Sequence, residues 1–222
     1  MSTEQGPLTR REERAAIRAD RTGSGPTRDS RPQLRHPGAA GAFALLGEVL
    51  LVGLLVTVVS LAVITLPAAL AAGIRHLRRY VAADDSRFAL FWADVRSGLL
   101  GGSAVGAVAL IATLVLLIDI DLARSGFLPG GAVVEAVGWV GLAVVAVALL
   151  LAAGAWSAQL GWRGALRTVS DAARGDAVGV LYLVATAGFV VVVTWALPPL
   201  FIAGIGCAAL AVVAIPARRR RG

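Results

Sequence analysis

The sequence predicts an all-α fold: a polytopic bundle of membrane-spanning helices with six spans, both termini in the cytosol and two amphipathic interfacial segments. Three observations predict it. The 222 residues have a mean hydropathy of +0.77 and only 16% charged residues, where about 25% is usual for a soluble domain. The charges are clustered, with none between Val49 and Ile74, Ser97 and Ile118, Ala136 and Trp162, or Ala177 and Ala217. Each interval exceeds the roughly 20 residues that cross a bilayer core, whereas a β-barrel would show short alternating segments. The segments between these intervals also alternate in charge, which sets the topology.

Residues 1–41 form a polar, basic cytosolic tail with eight arginines against five acids. Thr9 and Glu12 have capping-box spacing, so a short charged helix is expected over Thr9–Asp20. Thr22–Gly41, with three prolines and four glycines, is expected to be disordered. The membrane domain is expected over residues 42–216. Its first apolar run, Ala42–Ile74, would be about 50 Å long as one helix, too long for a core of about 30 Å. Pro67 divides it, since proline suits the first turn of a new helix. The run therefore reads as two spans, 42–62 outward and 63–79 inward. Arg75, Arg78 and Arg79 are expected to snorkel as membrane-interface anchors at the inner end of the second span.

Residues 75–97 carry five arginines and three aspartates, which places them in the cytosol. Ser86 is placed as an N-cap. Beyond it Phe88, Phe91, Trp92, Val95 and Leu99 share one helical face. A separate helix lying in the interface is expected, anchored by Trp92, with Arg87, Asp94 and Arg96 in water. The third span covers 97–118. Gly98, Gly102 and Gly106 stack at four-residue spacing along it and let another helix of the bundle approach closely. The 119–131 turn, with Asp119, Asp121 and Arg124, is placed outside.

The fourth span, 132–158, returns inward to a second amphipathic cytosolic segment, 161–176, with Trp162, Leu166 and Val169 on one face. Residues 177–216 are uncharged and again twice the length of a span. Pro198 and Pro199 divide them into spans 177–196 and 198–215. The basic tail 217–222 then supplies the anchors Arg218 and Arg219.

Parity ties these elements together. The N-terminal tail is net +3, the 75–97 loop +2, the 161–176 loop +1 and the C-terminal tail +4, while 119–135 is net −2. All basic segments fall on one side only if the first and last apolar runs each cross twice. Four or five spans would leave a basic segment outside, although a re-entrant first run would keep the parity with four full crossings. Trp92, Trp156 and Trp162 then lie near the inner interface, and Trp139 and Trp195 near the outer one.

Candidate chemistry is sparse. Glu48 is the one acid well inside a span, and an intramembrane carboxylate is a candidate site for a proton, a cation or a basic side chain. No catalytic triad, phosphate loop or HExxH motif occurs. Two histidines far apart in sequence offer no metal-ligand spacing, and no cofactor is implied. The single cysteine, Cys207, excludes an intrachain disulfide. All 21 cations are arginine; with the abundance of Ala, Gly and Val this is attributed to a GC-rich bacterial genome. Because the positive charge flanks apolar spans, a lipid bilayer rather than nucleic acid is the expected partner of this basic chain.

The stretch Ser60-Leu-Ala-Val-Ile-Thr-Leu-Pro-Ala-Ala-Leu-Ala-Ala72, then Arg75 to Tyr80, then Phe88 and Phe91-Trp92, resembles the YesL-like family of small bacterial integral membrane proteins. Thr65, Ala68, Ala71, Ala72, Arg78 and Arg79 fit the family's pattern. Ala62 stands where the family often has proline, and Pro67 near a usual glycine. The resemblance covers roughly residues 45–100. It implies a multi-pass protein of the bacterial plasma membrane, without established biochemical activity, that accompanies a carbohydrate ABC uptake system. The expected function is thus a non-catalytic accessory or scaffold bound to a transporter permease. The alternative is a small-solute transporter or channel in its own right, and a second copy of the chain is the other candidate partner, as a homo-oligomer.

Overall fold

The computed structural model describes residues 42–126 and 129–219, with side chains as far as Ile215 in the last helix. The expected Thr9–Asp20 helix, the expected disorder of Thr22–Gly41 and the side chains of Arg218 and Arg219 lie outside the described residues. Among the described residues there are seven α-helices, two 3₁₀ turns and no strand. The helices are α1 (Ala42–Val59), α2 (Leu66–Ala82), α3 (Phe88–Arg124), α4 (Gly131–Ala155), α5 (Gly161–Gly175), α6 (Ala177–Ala196) and α7 (Phe201–Arg219). Five segments are long and apolar enough to cross a membrane: α1, α3, α4, α6 and Pro198–Ile215, which joins the second 3₁₀ turn to α7. Large apolar side chains such as Leu100, Val108, Ile111, Val137, Leu181 and Val192 point outward from these helices, as a protein solvated by lipid requires.

The remaining long helix, α2, lies at the centre. Ten of its 17 residues are buried, Pro67 to Ile74 continuously and then His76 and Leu77, and α1, α3, α4 and α7 all pack on it. Its polarity follows from Arg75, His76, Arg78 and Arg79. The sequence treats it as a span over 63–79 that returns inward. In the structure the helix begins at Leu66, after a 3₁₀ turn over Val63–Thr65, and is sheathed by other helices. A short cationic helix is tolerated there because its neighbours, rather than lipid, line most of its surface.

A tight turn makes α1 and α2 a hairpin. Thr65 Oγ1 donates to the carbonyl of Val59 at 2.5 Å, capping a free end of α1. Pro67 falls in the first turn of α2, where its missing N–H costs no helical bond. Neighbouring helices run antiparallel: Val52 and Val56 face Gly73, Ala68 faces Gly102, Leu116 faces Gly141, and Val190 faces Gly204. The ends of α2, α4 and α7 therefore meet the starts of α1, α3 and α6 at one end of the bundle, the basic end.

Small residues set the closest approaches. Gly98, Gly102 and Gly106 are buried. A Cβ on Gly98 would meet the Trp156 ring at 3.0 Å, one on Gly102 would meet Ala68 Cβ at 2.8 Å, and one on Gly106 would collide with the backbone of Ile64. The stripe thus seats α3 against the α1–α2 hairpin and the two indoles. The sequence reading missed a second such contact. Gly53 of α1 abuts the Ile202 carbonyl and Gly206 of α7 abuts the Val49 carbonyl, a reciprocal backbone-to-backbone crossing.

Three expectations are corrected. The interfacial helix is not separate from the third span, because α3 runs unbroken from Phe88 to Arg124 with no proline to end it. Ser86 is not its cap, since Arg87 holds the N-cap position. Trp156 and Trp162 are 3% and 7% exposed and pack inside the bundle. Trp162 Nε1–H donates to the Gly98 carbonyl at 2.8 Å, which seats α5 through Trp162 and Ala165 and leaves Arg163, Arg167, Asp171 and Arg174 outward.

Substituting Gly106 with valine is expected to destabilise the purified protein by about 2–3 kcal/mol through overpacking, read as a lower midpoint of thermal unfolding in detergent. Gly188→Ala, where an added Cβ meets nothing within 4 Å, is the matched control and should leave the midpoint unchanged or raise it.

Candidate functional site

The charged residues of α2 converge on the basic end, and helical geometry decides what each one meets. Successive side chains turn by about 100°, so Arg75 and Arg79 share a face, His76 projects to one side and Arg78 to the other. Arg75 and Arg79 face α3. Arg79 Nη2 donates to Asp94 Oδ2 at 2.6 Å, and Arg75 Nε lies 3.2 Å from Asp94 Oδ1. The guanidinium of Arg75 also lies over the Trp156 ring, 5.7 Å from its centroid, an additional cation–π attraction.

Asp94 is 7% exposed, which corrects its expected position in water. The aromatic periodicity after Ser86 predicts a face centred on Phe88, Phe91, Trp92, Val95 and Leu99. The buried face is instead Phe91, Asp94, Val95 and Gly98, while Phe88, Trp92 and Leu99 remain partly exposed. Two guanidinium groups in an apolar setting need a counter-charge, and this requirement outweighs the burial of Phe88 and Trp92. Arg75 and Arg79, expected as interface anchors, thereby gain a partner within the bundle.

His76 faces α1. Its Nε2 lies 2.5 Å from Glu48 Oε1, and the ring is 1% exposed. Phe88 stacks on it at 6.1 Å and Phe91 meets it edge-on at 6.4 Å. Nδ1 is buried and has no hydrogen-bond partner among the described residues. Glu48 is thus the acid of a carboxylate–imidazole pair that fastens α1 to α2 and can share one proton between Oε1 and Nε2. Sequence reasoning found Glu48 but not His76. The available signal was the span itself, since a carboxylate there calls for a donor on a neighbouring helix.

Arg78 takes the third direction, toward α4, α6 and α7. It makes no ion pair or hydrogen bond among the described residues and opens onto a cavity lined also by Leu151, Gly154, Asp176, Leu183 and Val212. Trp92 is partly exposed and packs edge-on against Phe91. Pro198 and Pro199 open the 3₁₀ turn ahead of α7. At the opposite end of the bundle Arg124 pairs with Glu135 at 2.6 Å and lies over Trp139, 5.7 Å from the ring centroid, closing the α3–α4 turn. No group of three or more metal-ligating side chains forms among the described residues.

These pairs differ in weight. Asp94→Asn leaves two partly buried guanidinium groups without a counter-charge and should cost about 3 kcal/mol of stability, in the range for breaking a buried pair. Arg124→Gln removes an exposed pair and should cost at most about 1 kcal/mol. Thermal unfolding of both variants in one detergent compares them directly; equal midpoints would remove the distinction. No protein-family model matches the chain, and neither a curated protein nor a solved structure matches it.

Proposed function

We propose that this chain is a non-catalytic integral membrane protein that serves as an accessory or scaffold subunit, bound beside the permease of a carbohydrate uptake system in a bacterial plasma membrane. The observation that carries the reading is the mutual pairing of the charged side chains at the basic end. Glu48 is held by His76, and Asp94 by Arg75 and Arg79. These groups tie α1, α2 and α3 together, a structural use of charge rather than a solute path. The resemblance of residues 45–100 to YesL-like proteins supplies the uptake-system partner.

The same reading takes α2 as a sixth, protein-sheathed span beside the five apolar segments, with both termini cytosolic. Charge supports it. The basic end gathers the +2 loop 75–97 and the +1 loop 161–176 and holds the start of α1 and the end of α7, while the net −2 region 119–135 lies at the other end. A reporter fused after Ser125 is expected to be extracytoplasmic, and one fused after Ala83 cytosolic. The reverse pattern would overturn the topology.

A second reading, a small transporter or channel, is favoured by the Glu48–His76 pair with its unpartnered Nδ1, because intramembrane acid–imidazole pairs suit proton relays. Affinity purification of the tagged full chain in mild detergent separates the two. The accessory role predicts a stoichiometric permease or ATPase. A lone oligomer that moves solute in liposomes, with activity lost on Glu48→Gln, would replace it with the second reading.

A further inference from the structure

We infer that the cavity beneath Arg78 is a binding site for one membrane phospholipid, held by its phosphodiester. The cavity has a volume of about 460 Å³, within the roughly 300–1,000 Å³ of small-molecule pockets. Three of its walls come from membrane-crossing segments, with Leu151 on α4, Val180 and Leu183 on α6, and Val212 on α7. Its mouth lies at the basic end, where Arg78 and Asp176 stand. Leu183 lies six residues into α6, so the apolar walls run about 10 Å below the mouth at helical rise. A small soluble anion would leave those walls unfilled. The upper part of an acyl chain would cover them.

The charge pattern names the other half of the ligand. Of the four cationic or imidazole groups on α2, three have partners: Arg75 and Arg79 share Asp94, and His76 has Glu48. Arg78 has none among the described residues; it is exposed and lines the open side of the cavity, so its guanidinium is available to a ligand there. A Cβ added at Gly154 would lie 3.6 Å from its Nη2, an ordinary contact distance, so the guanidinium borders the cavity at Gly154. Asp176 also lines the cavity; its Oδ1 accepts the Gly179 N–H at 2.9 Å and caps α6. A guanidinium matches a phosphodiester with two parallel N–H···O bonds, and a basic pocket between membrane helices at the interface is where lipid phosphates are bound. The site does not depend on which functional reading holds.

Native mass spectrometry of the full chain in a non-ionic detergent tests the assignment. The probes are dioleoyl phosphatidylglycerol, dioleoyl phosphatidylethanolamine, dioleoylglycerol and glycerol phosphate. The wild-type chain is expected to retain one equivalent of either phospholipid at least tenfold more tightly than dioleoylglycerol or glycerol phosphate. Arg78→Gln should abolish that tenfold preference, and Arg78→Lys should keep part of it. Because Arg78 has no partner to lose among the described residues, Arg78→Gln should unfold at the wild-type temperature when delipidated. A filling variant, Val180→Trp, should block the phospholipids with Arg78 intact. The assignment fails if dioleoylglycerol binds as tightly as the phospholipids, if glycerol phosphate competes with them equally, or if Arg78→Gln binds like wild type. It also fails if Arg78 is needed for a homodimer instead, which would make the groove an interface between copies.

Discussion

The architecture at the basic end depends on one interaction, the capture of Asp94 by Arg75 and Arg79. Burying any one of these charges alone in an apolar bundle would cost several kcal/mol, and their attraction offsets this only with close geometry. The 2.6 Å and 3.2 Å separations supply that geometry. They also fix the rotation of α3 about its axis, and with it the direction of the Gly98–Gly102–Gly106 stripe. With the stripe facing Ala68, Ile64 and the indoles of Trp156 and Trp162, α3 can approach α2 closely and α5 can dock over Gly98. One ionic contact thus positions the packing of four helices.

The central helix shows how a membrane protein can accommodate a sequence that is a poor lipid-facing span. Leu66–Ala82 is alanine-rich over its first half, which lets four neighbours close around it, and cationic over its second. Each half would be unfavourable alone, since small residues bury little area and arginines resist desolvation. Together they make a thin core element with a polar end. The Glu48–His76 contact repeats the logic on the α1 side, so charge is used in two directions and left over in a third, at Arg78.

Much of this fold was legible in the sequence because the bilayer imposes a length rule. Uncharged intervals of 20 residues or more mark apolar segments, and Pro67 and Pro198-Pro199 mark where double-length runs turn. The inward rotation of Asp94 was not legible. Phe91 and Val95 belong both to the aromatic face that periodicity selects and to the buried face the structure adopts, and the two differ by less than one residue's turn of the helix. The tie is broken by arginines fifteen and nineteen positions earlier, and a local pattern carries no information about them. His76 was missed for a similar reason, because its partner Glu48 is 28 residues away on another helix. Trp156 and Trp162 were assigned to the headgroup region by residue type, whereas neighbouring glycines made room for them inside.

The reciprocal Gly53–Gly206 crossing makes the first and last described helices direct neighbours. The face of α1 that carries Val49 and Gly53 has no packing partner until α7 has been synthesised and inserted. Assembly of the bundle is therefore ordered by translation: α3 and α4 can pack on the hairpin as they emerge, and α5 and α6 on them, but closure against α1 waits for α7. A nascent chain arrested before α7 would present an unfilled seam to the bilayer, the kind of defect that intramembrane quality control removes.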